Sequence, residues 1–311
     1  MLNRRILRIK AFKVLYSFAE DPSMTLAEAE SQLEVSCEAT RSLYLFMLCI
    51  IPYLTREAAA RIESAKGKFN PTEEERNPNM KFAENAIAPL LDNDPDLTKL
   101  LAKRKLSWEQ YDAFIRETYD SMARKDYFKA YMADPERSVA KDASLFIKMY
   151  EEEFVDSDAL ADILEDMSIW WNDDLAYALT LCCQSLEKLA KGGRWTLPPL
   201  YKNTADADFV TKLLTSAMAG YGRYSEMVAS HTAEWEQDRL FATDVALIAM
   251  GLAEAVTFPE IPVKVTINEY VEISKFYSTP RSRSFVNGLL DKLIGEMGAE
   301  GQVVKSGRGL L

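Results

Sequence analysis

Apolar residues in this chain recur at intervals of three and four from one end to the other, and little interrupts them. Only 12 Gly and 12 Pro stand among 311 residues, while 48% of the chain is hydrophobic. A sheet would need a period of two and frequent turn residues. A period near 3.6 with sparse breakers selects long amphipathic helices that bury one face each. The expectation is an all-α fold, in a chain long enough for two or three packed units.

Stripes and breakers place the helices. Leu7, Ala11, Val14, Leu15 and Phe18 share a stripe over residues 3–19, which Asp21-Pro22 closes. A short helix near 25–34 and a long one over 38–65 follow. The most apolar run, Leu43–Ile51, is far short of the roughly 20 residues that cross a bilayer, so it reads as buried. Residues 67–82 are polar and proline-bearing, a candidate linker. Ser107-Trp-Glu-Gln has capping-box spacing and opens a stripe of Trp108, Tyr111, Phe114, Ile115, Tyr119 and Met122. Helices near 138–154, 157–171 and 173–191 come next, closed by Gly192-Gly193 and Pro198-Pro199. Two more cover about 206–231 and 235–256, and prolines 259 and 262 break the chain after them. Thr266 and Glu269 again have capping-box spacing, ahead of an inward face of Ile267, Tyr270, Val271, Ser274 and Tyr277. The last helix, 283–297, stacks Val286, Leu290, Leu293 and Met297. Gly288 in its middle costs about 1 kcal/mol relative to Ala, so a neighbouring backbone is expected to approach it closely.

The net charge of −11 is unevenly spread. Arg4, Arg5, Arg8, Lys10 and Lys13 precede the first acid, Glu20, whereas residues 151–174 carry ten acids and no Lys or Arg. A chain acidic in total can still present a local basic patch, while the acidic run reads as a solvated helix face. Cys37, Cys49, Cys182 and Cys183 lack a C-x-x-C spacing and suit a reducing compartment. The N-terminal segment, basic and amphipathic without a small-residue cleavage site, does not read as a signal peptide, so a cytoplasmic protein without a membrane segment is expected. Catalysis has little support. His231 is the single histidine, no phosphate-binding glycine loop is present, and no acid has the E-x-x-H spacing of a di-metal site. No cofactor and no metal are expected.

Four stretches carry a family resemblance: RRILRIKAFKVLYSF at 4–18, WEQDRLFATD at 235–244, FPEIPVKVTINEYVEI at 258–273 and SFVNGLLDKL at 284–293. In this order they closely resemble the transcription antitermination factor NusB family. The resemblance implies a pair of small helical bundles, built here from residues 1–20 and 205–298, with a helical insertion over 21–204 and a flexible C-terminal tail over 299–311. It implies binding of the boxA element of ribosomal RNA leaders together with the ribosomal protein that doubles as NusE. RNA polymerase would then read through ribosomal RNA operons, contacted indirectly.

By the same resemblance Arg4, Arg5 and Arg8 match the arginine-rich start that meets RNA. Arg281, Arg283, Phe285 and Asn287 fall where the family's loop and last helix meet it. Guanidinium groups pair with phosphate and stack on unpaired bases, as single-stranded RNA requires. Phe285 with Leu289 could equally be a core pair, and Asn287 a structural donor. Asp244 matches an acid on the helix that faces the small, basic NusE protein; an acid stabilised by the helix dipole is its other reading. The chain departs from the family in the size of its insertion, in Arg281 and Arg283 where the loop is often more acidic, and in Gly251 to Ala253, which lack an aromatic. A scaffold that keeps the fold but not RNA affinity is the alternative function.

Overall fold

The computed structural model describes residues 2–232 and 241–310. Residues 235–240, where the second of the four stretches begins and where a helix start was expected, lie outside them. The protein is 76% helical with no strand among the described residues, as the 3.6 period requires. In chain order the helices are α1 Arg4–Glu20, α2 Leu26–Leu48, α3 Ile50–Lys66, α4 Glu73–Arg76, α5 Ile87–Asp92, α6 Pro95–Arg104, α7 Asp112–Arg124 and α8 Asp126–Ala133. Then come α9 Val139–Met149, α10 Asp158–Met167, α11 Leu175–Ala190, α12 Thr204–Thr232, α13 Ala242–Thr257, α14 Val263–Tyr277 and α15 Ser282–Ala299. Two compact units divide them. Met1–Cys37 and Leu200–Leu311 form one, and Glu38–Pro199 the other.

The first unit is built around α13. Residues Ala246 to Ala255 of this helix are all buried, because a helix apolar on every side can only sit inside a bundle. It packs against α1, α12, α14 and α15. Gly251 stands where a Cβ would come within 2.6 Å of Leu290 and 3.3 Å of Tyr270, so the bulk missing from this position is supplied by its neighbours. Gly288 contradicts the expectation of a close approach, since a Cβ there would meet nothing within 4 Å. The segment expected to be a flexible tail makes specific contacts with the first unit. Lys305 Nζ donates to the carbonyls of Ala255 (2.8 Å) and Phe258 (3.0 Å), the Ser306 amide donates to Pro259 O, and Gly309 is buried against that same carbonyl. At the other end of the chain, Leu2 N donates to Leu200 O at 3.1 Å.

The second unit has an aromatic centre. The Trp108 ring stacks on Phe46 (centroids 4.0 Å apart) and Phe114 (5.6 Å), and its indole N–H donates to Phe46 O at 2.8 Å. Leu43–Ile51 is buried throughout, as the sequence indicated. The Leu26–Lys66 stretch has the length and hydropathy of a membrane span, but 67% of its apolar window is buried, as in a core helix. The break between α2 and α3 falls at Cys49 rather than near residue 36. Pro52 explains it, for its ring lacks the N–H that Leu48 O would accept and clashes with that carbonyl. The 67–82 segment is not a boundary. Lys81 and Phe82 are buried, and Lys81 Nζ donates to Tyr131 O and Asp134 O, both at 2.7 Å. Two short helices, α5 and α6, stand beyond those expected from the sequence, although Asp94 caps α6 and Pro95 starts it. α9 continues through a π-helical turn, Tyr150–Phe154.

Candidate nucleic-acid interface

The Asn3 side chain accepts from Ile6 N at 3.0 Å and so starts α1 immediately before its arginines. Helical geometry then separates them, since Arg4 and Arg8, four apart, share a face and Arg5 is turned about 100° from Arg4. Arg4 Nε donates to Asp206 Oδ1 at 3.0 Å, and its guanidinium lies 4.8 Å from the Phe209 ring centre with 40% of the side chain exposed. Arg5 makes a bidentate pair with Glu269 at 3.0 and 2.7 Å and is half exposed. Both keep part of the guanidinium toward solvent.

Arg8 does not. It is 4% exposed and donates twice to the Glu254 carboxylate, at 2.7 and 2.8 Å. Thr266 (2.9 Å) and Tyr270 (3.0 Å) donate to the same carboxylate. Burial alone would lower the Arg8 pKa, and the Glu254 hydrogen bonds and charge outweigh it and raise it. A cation so enclosed cannot reach a phosphate, and Arg8 is a structural residue. The apparent capping box is not formed: Thr266 gives its hydroxyl to Glu254, Glu269 accepts from Arg5, and α14 already begins at Val263. Lys10 is buried too, which leaves Arg4 and Arg5 as the solvent-facing arginines of the basic run.

Asp244 is likewise internal, at 1% exposure. Its carboxylate accepts from Ser278 Oγ at 2.6 Å and Ser282 Oγ at 2.7 Å. Burial raises its pKa against those two hydrogen bonds. As a partner-facing acid it is therefore corrected: it ties the α14–α15 turn to the first turn of α13. By holding Ser282 it fixes where Arg281 and Arg283 emerge, and both are exposed, as is Asn287. Phe285 is half-buried, intermediate between a base platform and a core residue.

α14 links the two basic ends. Glu272 is held below its ordinary pKa by a hydrogen bond from Lys275, and then by the positive charges of Lys275, Arg5 and Arg283. One carboxylate thus feels an arginine of α1 and one of α15. Glu269 is lowered as well; burial works against this, and the Arg5 hydrogen bonds with the Arg8 and Arg5 charges prevail. On the stripe that carries both acids, at 269, 272 and 276, stands Phe276, 81% exposed. Its signal in the sequence is that of an aromatic outside the inward face of its own helix. Arginines beside an exposed ring can hold phosphate and stack a base.

The NusB family model matches residues 185–295. Over 113 residues the chain is 36% identical to "Transcription antitermination protein NusB" of Salinibacter ruber, a match that covers 36% of this chain and 71% of that protein. It is 35% identical over 136 residues to the protein of that name from Chloroherpeton thalassium, covering 43% of this chain and 63% of that one. The protein of the same name from Methylacidiphilum infernorum is 35% identical over 104 residues, 33% of this chain and 71% of that protein. No solved structure matches. Helix α1 lies outside the family-model match and joins it through packing on α12 and α13.

Proposed function

The chain belongs to the NusB family, and from that premise we propose that it binds boxA-like single-stranded leader RNA together with a NusE-type ribosomal protein, as a cytoplasmic antitermination factor without catalytic activity. The observation that supports this reading is the Arg5 pair with Glu269 on α14, where Glu272 one turn on feels the charges of both Arg5 and Arg283, with Arg4 in α1, Arg281 just before α15 and the exposed Phe276 in α14 close by in sequence. Phosphates would compete with Glu269 and Glu272 for the guanidinium groups, a contest that favours binding at low salt. Asn287 and Phe285 extend the surface along α15. Asp244 contributes by holding the turn. The partner of NusE type is expected to raise RNA affinity through effective concentration, since two contacts to one RNA reinforce each other.

The test is RNA binding as a function of salt. Replacing Arg5 and Arg283 together by Ala should flatten the slope of log K against log salt by about 0.7 for each lost phosphate contact. Substitution at these exposed positions leaves the helix content unchanged, because Ala is the best helix former. Absence of salt-dependent binding by the unaltered protein, with the NusE-type partner present, would favour the scaffold reading.

A further inference from the structure

The second unit carries a feature that RNA binding does not use. A groove of about 520 Å³ opens between the π-helical turn after α9 and one face of α11. Val155, Leu175, Ala176 and Leu179 form its apolar floor, and Glu151 and Asp173 stand at its sides. The α11 residues that line it, at 175, 176, 179, 180 and 183, follow helical spacing, so the groove runs along the helix for about two turns. Val155, in its lining, is 59% exposed. Such surface marks an interaction site when it is contiguous. The segments that border it carry mostly one sign of charge: of the ten acids in residues 151–174, with no Lys or Arg among them, eight are exposed, and Glu151 and Asp173 line the groove itself. Lys148, paired with Glu151 at 2.7 Å, and Lys125, paired with Glu153 at 3.0 Å, are the counter-charges of the run's first turn. Negative potential reaches the groove itself, where burial first, then Glu151 and Glu187, push the Cys183 thiol up to about 11.

We propose that this groove receives an amphipathic basic helix from a protein partner, apolar residues seated on α11 and Lys or Arg facing the acidic surround. Charge complementarity selects that occupant. An elongated apolar trough beside a helix accepts side chains at i, i+3, i+4 and i+7, and the acids exclude an acidic segment or a nucleic acid. The groove lies outside the 185–295 match, so it adds a function independent of the RNA reading.

Full-length protein and a synthetic helix of about 18 residues, five turns long, test it. The peptide carries Leu at i, i+3, i+4 and i+7 and Lys elsewhere, and a control keeps the leucines with Glu for Lys. The expected result is salt-sensitive anisotropy binding of the Lys peptide and none of the Glu peptide. Ala176→Arg, which fills and reverses the groove at an exposed helix position, should weaken binding by about tenfold, and Thr180→Arg should do the same from the next turn. Glu151→Gln with Asp173→Asn should flatten the salt dependence. Glu63→Gln with Glu74→Gln, acids on other helices, should leave it unchanged. Circular dichroism verifies that each variant is folded. Equal affinity in Ala176→Arg and Thr180→Arg, binding of the Glu peptide, or an equal effect of the Glu63 and Glu74 pair would overturn the proposal. So would self-association of the protein that Ala176→Arg abolishes, for the groove would then hold a second copy of this chain.

Discussion

The two units organise their centres by different chemistry. In the first, a buried cation and anion, Arg8 and Glu254, face each other, with Thr266 and Tyr270 completing the carboxylate's hydrogen bonds. In the second, Trp108 lies stacked between Phe46 and Phe114 and spends its one N–H on a carbonyl. The charged centre tolerates few alternatives, because each partner stripped of the other is left desolvated and unpaired. The aromatic centre is sensitive to volume and indifferent to sign. The same division appears at the surface, where the first unit shows arginines at α1 and α15 and the second a run of acids.

The contrast breaks most visibly at Glu254. Glu254→Ala should cost about 3–5 kcal/mol in denaturant unfolding, since it removes both hydrogen bonds of the buried Arg8, leaving it only the longer Glu269 contact at 3.5 Å, and strips two hydroxyls of their acceptor. Glu254→Gln, equal in volume, should still cost more than an equal-volume change in the aromatic unit such as Leu186→Met, which is expected to lose less than about 1.5 kcal/mol. A smaller loss for Glu254→Gln than for Leu186→Met would end the distinction.

Asp244 sharpens it next. Lys in its place would bury a charge against two serine hydroxyls and should destabilise by about 3 kcal/mol, whereas Asn accepts from one serine and donates its amide to the other and should change stability by less than about 1 kcal/mol. The pH dependence has a definite sign. The folded pKa of Asp244 is raised by burial, so its stability contribution is fully present below the ordinary aspartate range and is lost as pH rises through the folded value. Asp244→Asn should remove that loss, which unfolding curves across mildly acidic to neutral pH will register. The opposite sign belongs to Glu269, lowered by Arg5 and Arg8 against burial, whose contribution holds above the ordinary glutamate range and fades as pH falls.

Phe276→Ala should weaken boxA-like RNA by about 1–3 kcal/mol if the ring stacks a base, without lowering stability, because 81% of the residue is exposed. Unaltered affinity would remove Phe276 from the RNA surface. The smallest effect is expected at Gly288, where a Cβ meets nothing within 4 Å. Gly288→Ala should raise stability by about 1 kcal/mol, and a loss would restore the close approach that the sequence suggested.

The helical class, the burial of Leu43–Ile51 and the placement of α9 through α11 were legible in the chain because periodicity and breakers are local properties. So was the family, carried by short runs at 4–18, 235–244, 258–273 and 284–293. The fate of individual charges was not. Arg4, Arg5 and Arg8 stand within one turn and a half of α1, and nothing in their spacing distinguishes the two that reach solvent from the one that α13 and α14 enclose. Asp244 at a helix start had two readings, and only the serines of the α14–α15 turn, 34 and 38 residues away, settled it as internal. Gly288 and the docked tail followed the same rule. Sequence fixes which faces want burial through side-chain chemistry that each helix carries alone; which polar groups are buried with them depends on what the neighbouring helices bring to the same place.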